Sequence, residues 1–274
     1  MKFRLLIVTM LIAVTAFAQE EASGSFFNYN GTNIYYEDYG EGEPLLLLHT
    51  FYGTTRQWKD YILPYSEKFR VIAVDMFGHG RSDIFSTSKE FRHSEYARAI
   101  LGLMDHLKIA QANAIGASSG AITLLHANYF HPGRFKAVVQ IGGQIFFGEE
   151  MRKWIREERA DSANAVFMKH YNALHGTDKA RLLTRQFWNL QFMTGESSFT
   201  PDMLRTFTAR WLVVQGDNDF IGLYHAIEMD RHIPKSHLWI VPDGGHFPHL
   251  IKENTPDFTR RTIDFLTGVG DSGR

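Results

Sequence analysis

Short, nearly uninterrupted apolar runs recur along the chain at Leu45–Leu48, Val71–Val74, Ala137–Ile141, Trp211–Val214 and Leu238–Val241. Each is bounded by glycine, proline or a polar residue, and each is shorter than an ordinary helix. Runs of this kind read as strands covered on both faces, the habit of a parallel sheet. Between them the apolar residues take helical spacing: about Thr54 to Phe69, about Phe91 to Leu107 (Ala97, Ile100, Leu101, Met104), Ser119 to about Phe130, about Leu223 to His232, and about Thr255 to Leu266. Strand, helix, strand in succession requires parallel crossovers. Ahead of this series, Ser25–Asn30 and Thr32–Tyr39 are aromatic and β-branched runs that meet at Asn30-Gly31. That dipeptide favours a type I′ turn, so an antiparallel hairpin opens the fold.

The alternation stops at Gly142-Gly143. From there to about Thr208 no buried strand is legible, only helical stripes: Met151, Trp154 and Ile155; Ala163, Val166, Phe167 and His170; Leu183, Gln186, Phe187 and Leu190. Spacing of i, i+3, i+4 predicts about four short amphipathic helices inserted between two strands. The fold class expected is α/β: a mostly parallel central sheet with an N-terminal antiparallel hairpin, helices on both faces, and a helical cap insertion. The core takes 19–144 and 209–274, the insertion 145–208.

Lys2 and Arg4 precede an apolar stretch, Leu5 to Phe17, and Ala16-Phe17-Ala18 forms an A-x-A site before Gln19. The stretch is shorter than the roughly 20 residues of a spanning helix, so residues 1–18 read as a cleaved signal peptide. No cysteine follows it to carry a lipid. The expectation is an exported protein, periplasmic or secreted, with no stable membrane anchor after cleavage. Cysteine is absent from all 274 residues, which excludes thiol catalysis and thiolate metal sites. The formal net charge is −1 and no block of like charge occurs, so nucleic acid is not an expected partner. A small-molecule substrate is; the oligomeric state is left open.

Gly116-Ala117-Ser118-Ser119-Gly120 joins an apolar strand to a helix start and spells G-x-S-x-G. Alone, the pentapeptide is often an ordinary turn. Between strand and helix it is a nucleophile elbow, lifting Ser118 onto the sheet's C-terminal rim, where the Ser119 N–H and the positive end of the helix face developing negative charge. Two later strand ends reach the same rim. Gln215-Gly216-Asp217-Asn218-Asp219 offers two candidate acids, and Gly244-Gly245-His246 offers a base. In the order Ser, Asp, His these supply a nucleophile, a group orienting the imidazole, and a general base.

With those residues in view the chain, from about Ser25 to Leu266, resembles serine hydrolases of the α/β-hydrolase superfamily. The matching motifs are His49 and Phe51 after the first parallel strand, Asp75, Gly78, Gly80 and Ser82 after the second, the elbow, Asp219, and Gly245-His246. The resemblance implies a triad of Ser118, Asp219 and His246, with the acid at Asp219 and not Asp217. It also implies an oxyanion hole from the backbone N–H groups of Phe51 and Ser119, and a cap formed by the insertion. Three positions depart from the family pattern: Thr50 stands where glycine is usual, Tyr52 where proline is common, and Ser119 where a larger residue is common.

The activity expected is hydrolysis of a small, largely apolar carboxylic ester through an acyl-enzyme, without a cofactor. Relatives with the same triad cleave lactones, amides, N-terminal peptides or carbon–carbon bonds, and a non-catalytic binding protein on the same scaffold is the rival from another class. Aspartate at position 118 would have meant dehalogenase or epoxide hydrolase chemistry; serine argues against both. Trp154, Phe167, Phe187 and Trp188 are the candidate pocket residues of the insertion. His249 makes a His-x-x-His pair with His246, but it lacks the glutamate and i, i+4 spacing of H-E-x-x-H, so no metal is expected. His49 reads as a hydrogen-bonding brace, and His79 and Arg81 as loop structure.

Overall fold

Asn30 and Gly31, at φ 49° and 86°, turn the chain between β1 (Ser23–Tyr29) and β2 (Thr32–Tyr39), which pair antiparallel with Tyr29 opposite Thr32. Consecutive left-handed residues are what a type I′ turn demands, and Asn-Gly meets that demand with least strain. The fold is taken from a computed structural model that describes residues 23–85, 90–161, 165–190 and 198–269, with the side chains of 23, 150, 154, 158–161 and 165–168 outside the description. The leader read over 1–18 lies outside the described residues.

The remaining strands are β3 (Glu43–Leu48), β4 (Phe69–Val74), β5 (Ala112–Ala117), β6 (Phe135–Ile141), β7 (Arg210–Gly216) and β8 (Ser236–Val241). They form an eight-stranded sheet in the order β1-β2-β4-β3-β5-β6-β7-β8. β2 runs antiparallel to β4, and every pairing from β4 to β8 is parallel. The chain passes outward from β3 to β4, then returns past β3 to β5 and continues the other way. This reversal makes a switch point between β3 and β5, where the loops leaving the two strand ends diverge and open a crevice.

The leucines of β3 show why its run has no polar alternation. Leu45 and Leu47 belong to a buried cluster with Tyr61, Tyr65, Phe258 and Leu266; Leu46 and Leu48 belong to a second with Tyr96, Leu124, Ala226 and Met229. The first cluster is closed by α1 (Lys59–Ser66) and α9 (Thr255–Thr267), the second by α2 (His93–His106), α3 (Ser119–Phe130) and α8 (Leu223–His232). All four leucines have no exposed surface, and burying each is worth about 1.5–3 kcal/mol.

Between β6 and β7 lie α4 (Glu149–Asp161), α5 (Ala165–His175), α6 (Thr177–Asn189) and α7 (Pro201–Arg205), in the stretch where four short helices are expected. Met151, Ile155, Leu183, Phe187, Leu190 and Leu204 join the same cluster as α2 and α3. The described residues of the first stripe, and Leu183, Phe187 and Leu190 of the third, are therefore buried on the body of the molecule, whereas His170 of the second is exposed and the rest of that stripe lies outside the described side chains. One element differs from expectation. The stretch from Thr54 to Phe69 is not one helix: a 3-10 turn, Thr55–Trp58, precedes α1, which ends at Ser66. Thr54 takes the Arg56 N–H with its own hydroxyl and starts the chain afresh there. At the other end Phe69 and Arg70 are claimed by sheet pairing with Glu43 and Pro44.

Candidate active site

Ser118 sits between β5 and α3 at φ 51°, ψ −112°, a conformation that costs a non-glycine residue of order 1–3 kcal/mol and persists only where its surroundings enforce it. They do. Its N–H donates to the Ile141 carbonyl at 2.7 Å and its carbonyl accepts from the Ile122 N–H at 3.0 Å. The flanking glycines are needed for space: a Cβ on Gly116 would stand 2.6 Å from the Gly120 oxygen, and one on Gly120 would stand 2.3 Å from the Leu48 oxygen. Only bare backbone lets α3 start this close to the ends of β5 and β3.

Ser118 Oγ lies 3.0 Å from His246 Nε2, and His246 Nδ1 lies 2.9 Å and 3.0 Å from the two Asp219 oxygens. A proton on Nδ1 facing the carboxylate leaves Nε2 as the acceptor toward the serine hydroxyl. Asp219 is held by two further donors, Gln215 Nε2 at 2.6 Å and the Ile221 N–H at 2.9 Å. Its side chain has no exposed surface and that of His246 is 7% exposed. Phe220 and Phe247 each place a ring 4.5 Å from the imidazole. The His246 turn is fixed from below: Asn218 Oδ1 accepts the Gly245 N–H at 2.6 Å, and a Cβ on Gly216 would stand 2.1 Å from the Gly245 oxygen.

Of the two candidate acids, the structure brings Asp219 to His246. Asp217 is exposed, with its N–H on the Val241 carbonyl. Asp219→Asn therefore presents an amide where His246 needs an acceptor, and kcat is expected to fall by about 10⁴, as when the orienting carboxylate of a serine protease is changed to asparagine. Asp217→Asn is expected to stay within about twofold. Parallel kinetics of the two variants check this; greater damage in the second would reverse the assignment.

The loop after β3 lies beside the elbow because Leu48 and Gly116 are register partners. Its peptides are pinned one by one. The Thr50 N–H donates to Gln57 Oε1 at 3.1 Å, the Tyr52 N–H to His79 Nε2 at 3.1 Å, and the Gly53 N–H to the Thr50 carbonyl at 2.9 Å. Among the described residues the Phe51 N–H has no acceptor. The Thr50 carbonyl also accepts from His49 Nδ1 at 2.6 Å. Across a trans peptide C=O and N–H point oppositely, so the bonds on the Thr50 oxygen set the aim of the Phe51 N–H. Ser119 opens α3, where an N–H has no partner within its helix. The Ser119 hydroxyl lies 3.1 Å from His93 Nε2, and its carbonyl accepts from Thr123 Oγ1 at 2.8 Å.

His49 is a brace: its Nε2 accepts the Met76 N–H at 2.9 Å, and burial pushes its pKa down to about 4. His249 does not turn toward Ser118 as its neighbour does. It stacks on Trp58 with ring centres 5.5 Å apart, with Gln57 Nε2 3.1 Å from its Nε2. Of the candidate pocket residues, Phe187 packs 5.3 Å from the Phe51 ring and 5.2 Å from that of Tyr52. Trp188 is half-buried against the larger core cluster. The side chains of Trp154 and Phe167 lie outside the described residues. Gln57, Gln215, Asn218 and His175 also shape the site through their bonds to Thr50 and His249, to Asp219, to Gly245, and to Gly80 and Tyr52, and nothing in sequence pattern marks them, because those partners are settled only by the folded loops.

A cavity of about 200 Å³, lined by Phe77, Ile84, Phe91, Leu182 and Gln186 among others, lies between the loop after β4 and α6. Phe91 joins it to the site, its ring 5.0 Å from that of Phe51.

Residues 43–253 match the family described as alpha/beta hydrolase fold, a span that contains Ser118, Asp219 and His246. The serine hydrolase BPHL of Mus musculus is 27% identical over 252 residues, 86% of this chain and 84% of the relative. The 2-hydroxy-6-oxo-6-(2'-aminophenyl)hexa-2,4-dienoic acid hydrolase of Metapseudomonas resinovorans is 25% identical over 278 residues, 91% and 92% of the two chains. Among solved structures, one from a study of carboxylesterases of Nitrososphaera gargenis superposes with a TM-score of 0.75 at 20% identity, covering 89% of this chain and 99% of that one.

Proposed function

The chain belongs to the α/β-hydrolase family, and from that premise we propose that it is a serine hydrolase cleaving a small, largely apolar carboxylic ester. The observation that carries the proposal is the continuous chain of contacts from Ser118 Oγ to His246 Nε2 and from His246 Nδ1 to Asp219. In this reading His246 takes the Ser118 proton as Oγ attacks the ester carbonyl. The N–H groups of Phe51 and Ser119 receive the oxyanion, and the proton passes to the leaving alcohol. Water, deprotonated by the same imidazole, then releases the acid from Ser118. The buried carboxylate of Asp219 holds the imidazole tautomer and stabilises the imidazolium. None of these steps asks for a cofactor. The insertion acts as a cap in this reading, and export, expected from the leader, belongs to the proposal; a mature N-terminus at Gln19 would mark it.

A panel of aryl esters graded in acyl length, set beside lactones, amides and a 2-hydroxy-6-oxo-dienoate, tests the bond type. The dienoate is included because a relative that acts on such an acid matches over nearly the whole chain. Ester turnover is expected to exceed the rest, and dominance of the dienoate would replace ester with carbon–carbon cleavage. Phe187, packed on the loop that carries the Phe51 N–H, is expected to bear on acyl selection. Phe187→Ala should then shift the kcat/KM ratio between short and long esters by about tenfold. Equal loss for every ester together with a fall in Tm would make Phe187 part of the cap's own core only.

A further inference from the structure

Tyr52 stands at φ 65°. Proline, common at this position in the family, is locked near −65° and cannot adopt that angle. For a bulky side chain the left-handed region is strained and must be held from outside. Two buried histidines hold it directly and a third braces the residue two before it, and all six of their ring nitrogens are engaged by backbone. His49 Nδ1–H donates to the Thr50 carbonyl and His49 Nε2 accepts the Met76 N–H. His79 Nδ1–H donates to the Phe77 carbonyl at 2.9 Å, and Nε2 accepts the Tyr52 N–H. His175 Nδ1 accepts the Gly80 N–H at 2.9 Å, and its Nε2–H donates to the Tyr52 carbonyl at 3.0 Å. Tyr52 is thus gripped on its N–H by the core domain and on its carbonyl by His175, the last residue of α5 in the insertion.

We propose that His175 is a positioning residue through which the helical insertion fixes the loop carrying the Phe51 N–H, so that seating of the cap and aim of the oxyanion hole are one event. The proposal rests on the reading of Phe51 as an oxyanion donor. It is distinct from mere anchoring, because the insertion has a second tie to the same region. Lys179 Nζ, on α6, donates to the Ser82 carbonyl at 2.6 Å and to the Gly80 carbonyl at 3.2 Å. Tyr171 and Phe187 meet the Tyr52 ring, at 4.3 Å and 5.2 Å between ring centres, whereas the His175 ring holds the Tyr52 backbone through its carbonyl. The ring also stacks on Tyr171, with planes 11° apart, and meets His79 edge-on.

The test compares four variants by kcat per active site, with sites counted by burst titration, and by the Ki of a boronic acid that forms a tetrahedral adduct. His175→Phe keeps the ring contacts and loses both hydrogen bonds. His175→Asn can still accept from Gly80 but is too short to reach Tyr52, whereas His175→Gln can reach the Tyr52 carbonyl with its amide. Lys179→Met cuts the other tie. Complete removal of one oxyanion donor lowers kcat by about 10²–10³, so a misaimed donor in the Phe and Asn variants should lower it by about tenfold to a hundredfold. The boronic acid Ki should rise by the same factor while KM stays within about twofold. His175→Gln should recover most of the rate, and Lys179→Met should lower Tm without this signature. Should the phenylalanine variant not fold, the Asn and Gln pair carries the comparison. Wild-type kcat per site in the Asn variant, or an equal fall in Lys179→Met, overturns the inference and leaves the hydrolase reading intact. A wild-type chain that neither turns over ester nor labels at Ser118 overturns that reading, and this inference with it.

Discussion

Ser118→Ala is expected to lower kcat by about 10⁴–10⁶ while leaving Tm within a few degrees of wild type. The two halves of this expectation come from one geometry. The Ser118 hydroxyl has His246 Nε2 as its partner at 3.0 Å, and the backbone strain at φ 51° is enforced by the Ile141 and Ile122 bonds and the bare Gly116 and Gly120. Alanine inherits that backbone unchanged, so the fold loses little. On the proposed mechanism the reaction loses the atom that forms the acyl bond. Residual catalysis from the oxyanion donors alone sets the floor. A folded variant that kept a tenth of the wild-type rate would remove Ser118 from the mechanism.

The fold itself is expected to be labile to acid, losing stability steeply as pH falls from about 6.5 toward 4. Burial pushes the pKa of His49, His126, His175 and His225 down to about 4 and that of His93 and His249 to about 3, and holds that of His79 well below its ordinary value. An unfolded histidine binds its proton near pH 6.5, so within this window the unfolded chain carries more protons than the native one. Stability must then fall as pH falls, by about 1.4 kcal/mol per pH unit for each ring that stays neutral. Seven such rings exhaust a typical stability of about 5–15 kcal/mol within one to two pH units. Asp75, whose pKa burial raises, works in the opposite sense but is a single group. The contacts explain why native protonation is resisted: a second proton on His49, His79 or His175 would set a donor against a backbone N–H. Denaturant titrations at pH 7.5, 6 and 5 should show the midpoint dropping sharply below pH 6.5; a midpoint constant over that range would contradict the assigned neutral state.

Much of the fold is legible in the sequence because its signals are local. Asn30-Gly31 marks the hairpin, and α3 starts and ends where the elbow and the helical spacing place it, Ser119 to Phe130. The bare runs of β3 and β7 mean burial on both faces, as the split of Leu45 and Leu47 from Leu46 and Leu48 bears out. Boundaries set by partners are less legible. Nothing in Phe69 and Arg70 themselves says strand; they extend β4 because Glu43 and Pro44 lie alongside. The choice between Asp217 and Asp219 likewise has no local signature, since both follow the same strand and they are told apart by the folded turn, which puts the Asp217 N–H on the Val241 carbonyl and holds the Asp219 carboxylate with Gln215 and the Ile221 N–H. The bracing of the loop at Tyr52 is least legible of all. His79 and His175 are 96 residues apart in the sequence and meet only once the insertion is seated. The departures at Thr50 and Tyr52 point to an unusual loop, but not to the imidazoles that support it.

The central claim is that His246 and Asp219 make Ser118 a nucleophile, and covalent labelling reads it directly. Wild-type protein treated with a fluorophosphonate and mapped by mass spectrometry should carry one adduct, on the peptide containing Ser118, and His246→Ala should slow its formation by orders of magnitude. A folded wild-type chain that takes no label, or takes it on another serine, would contradict the account.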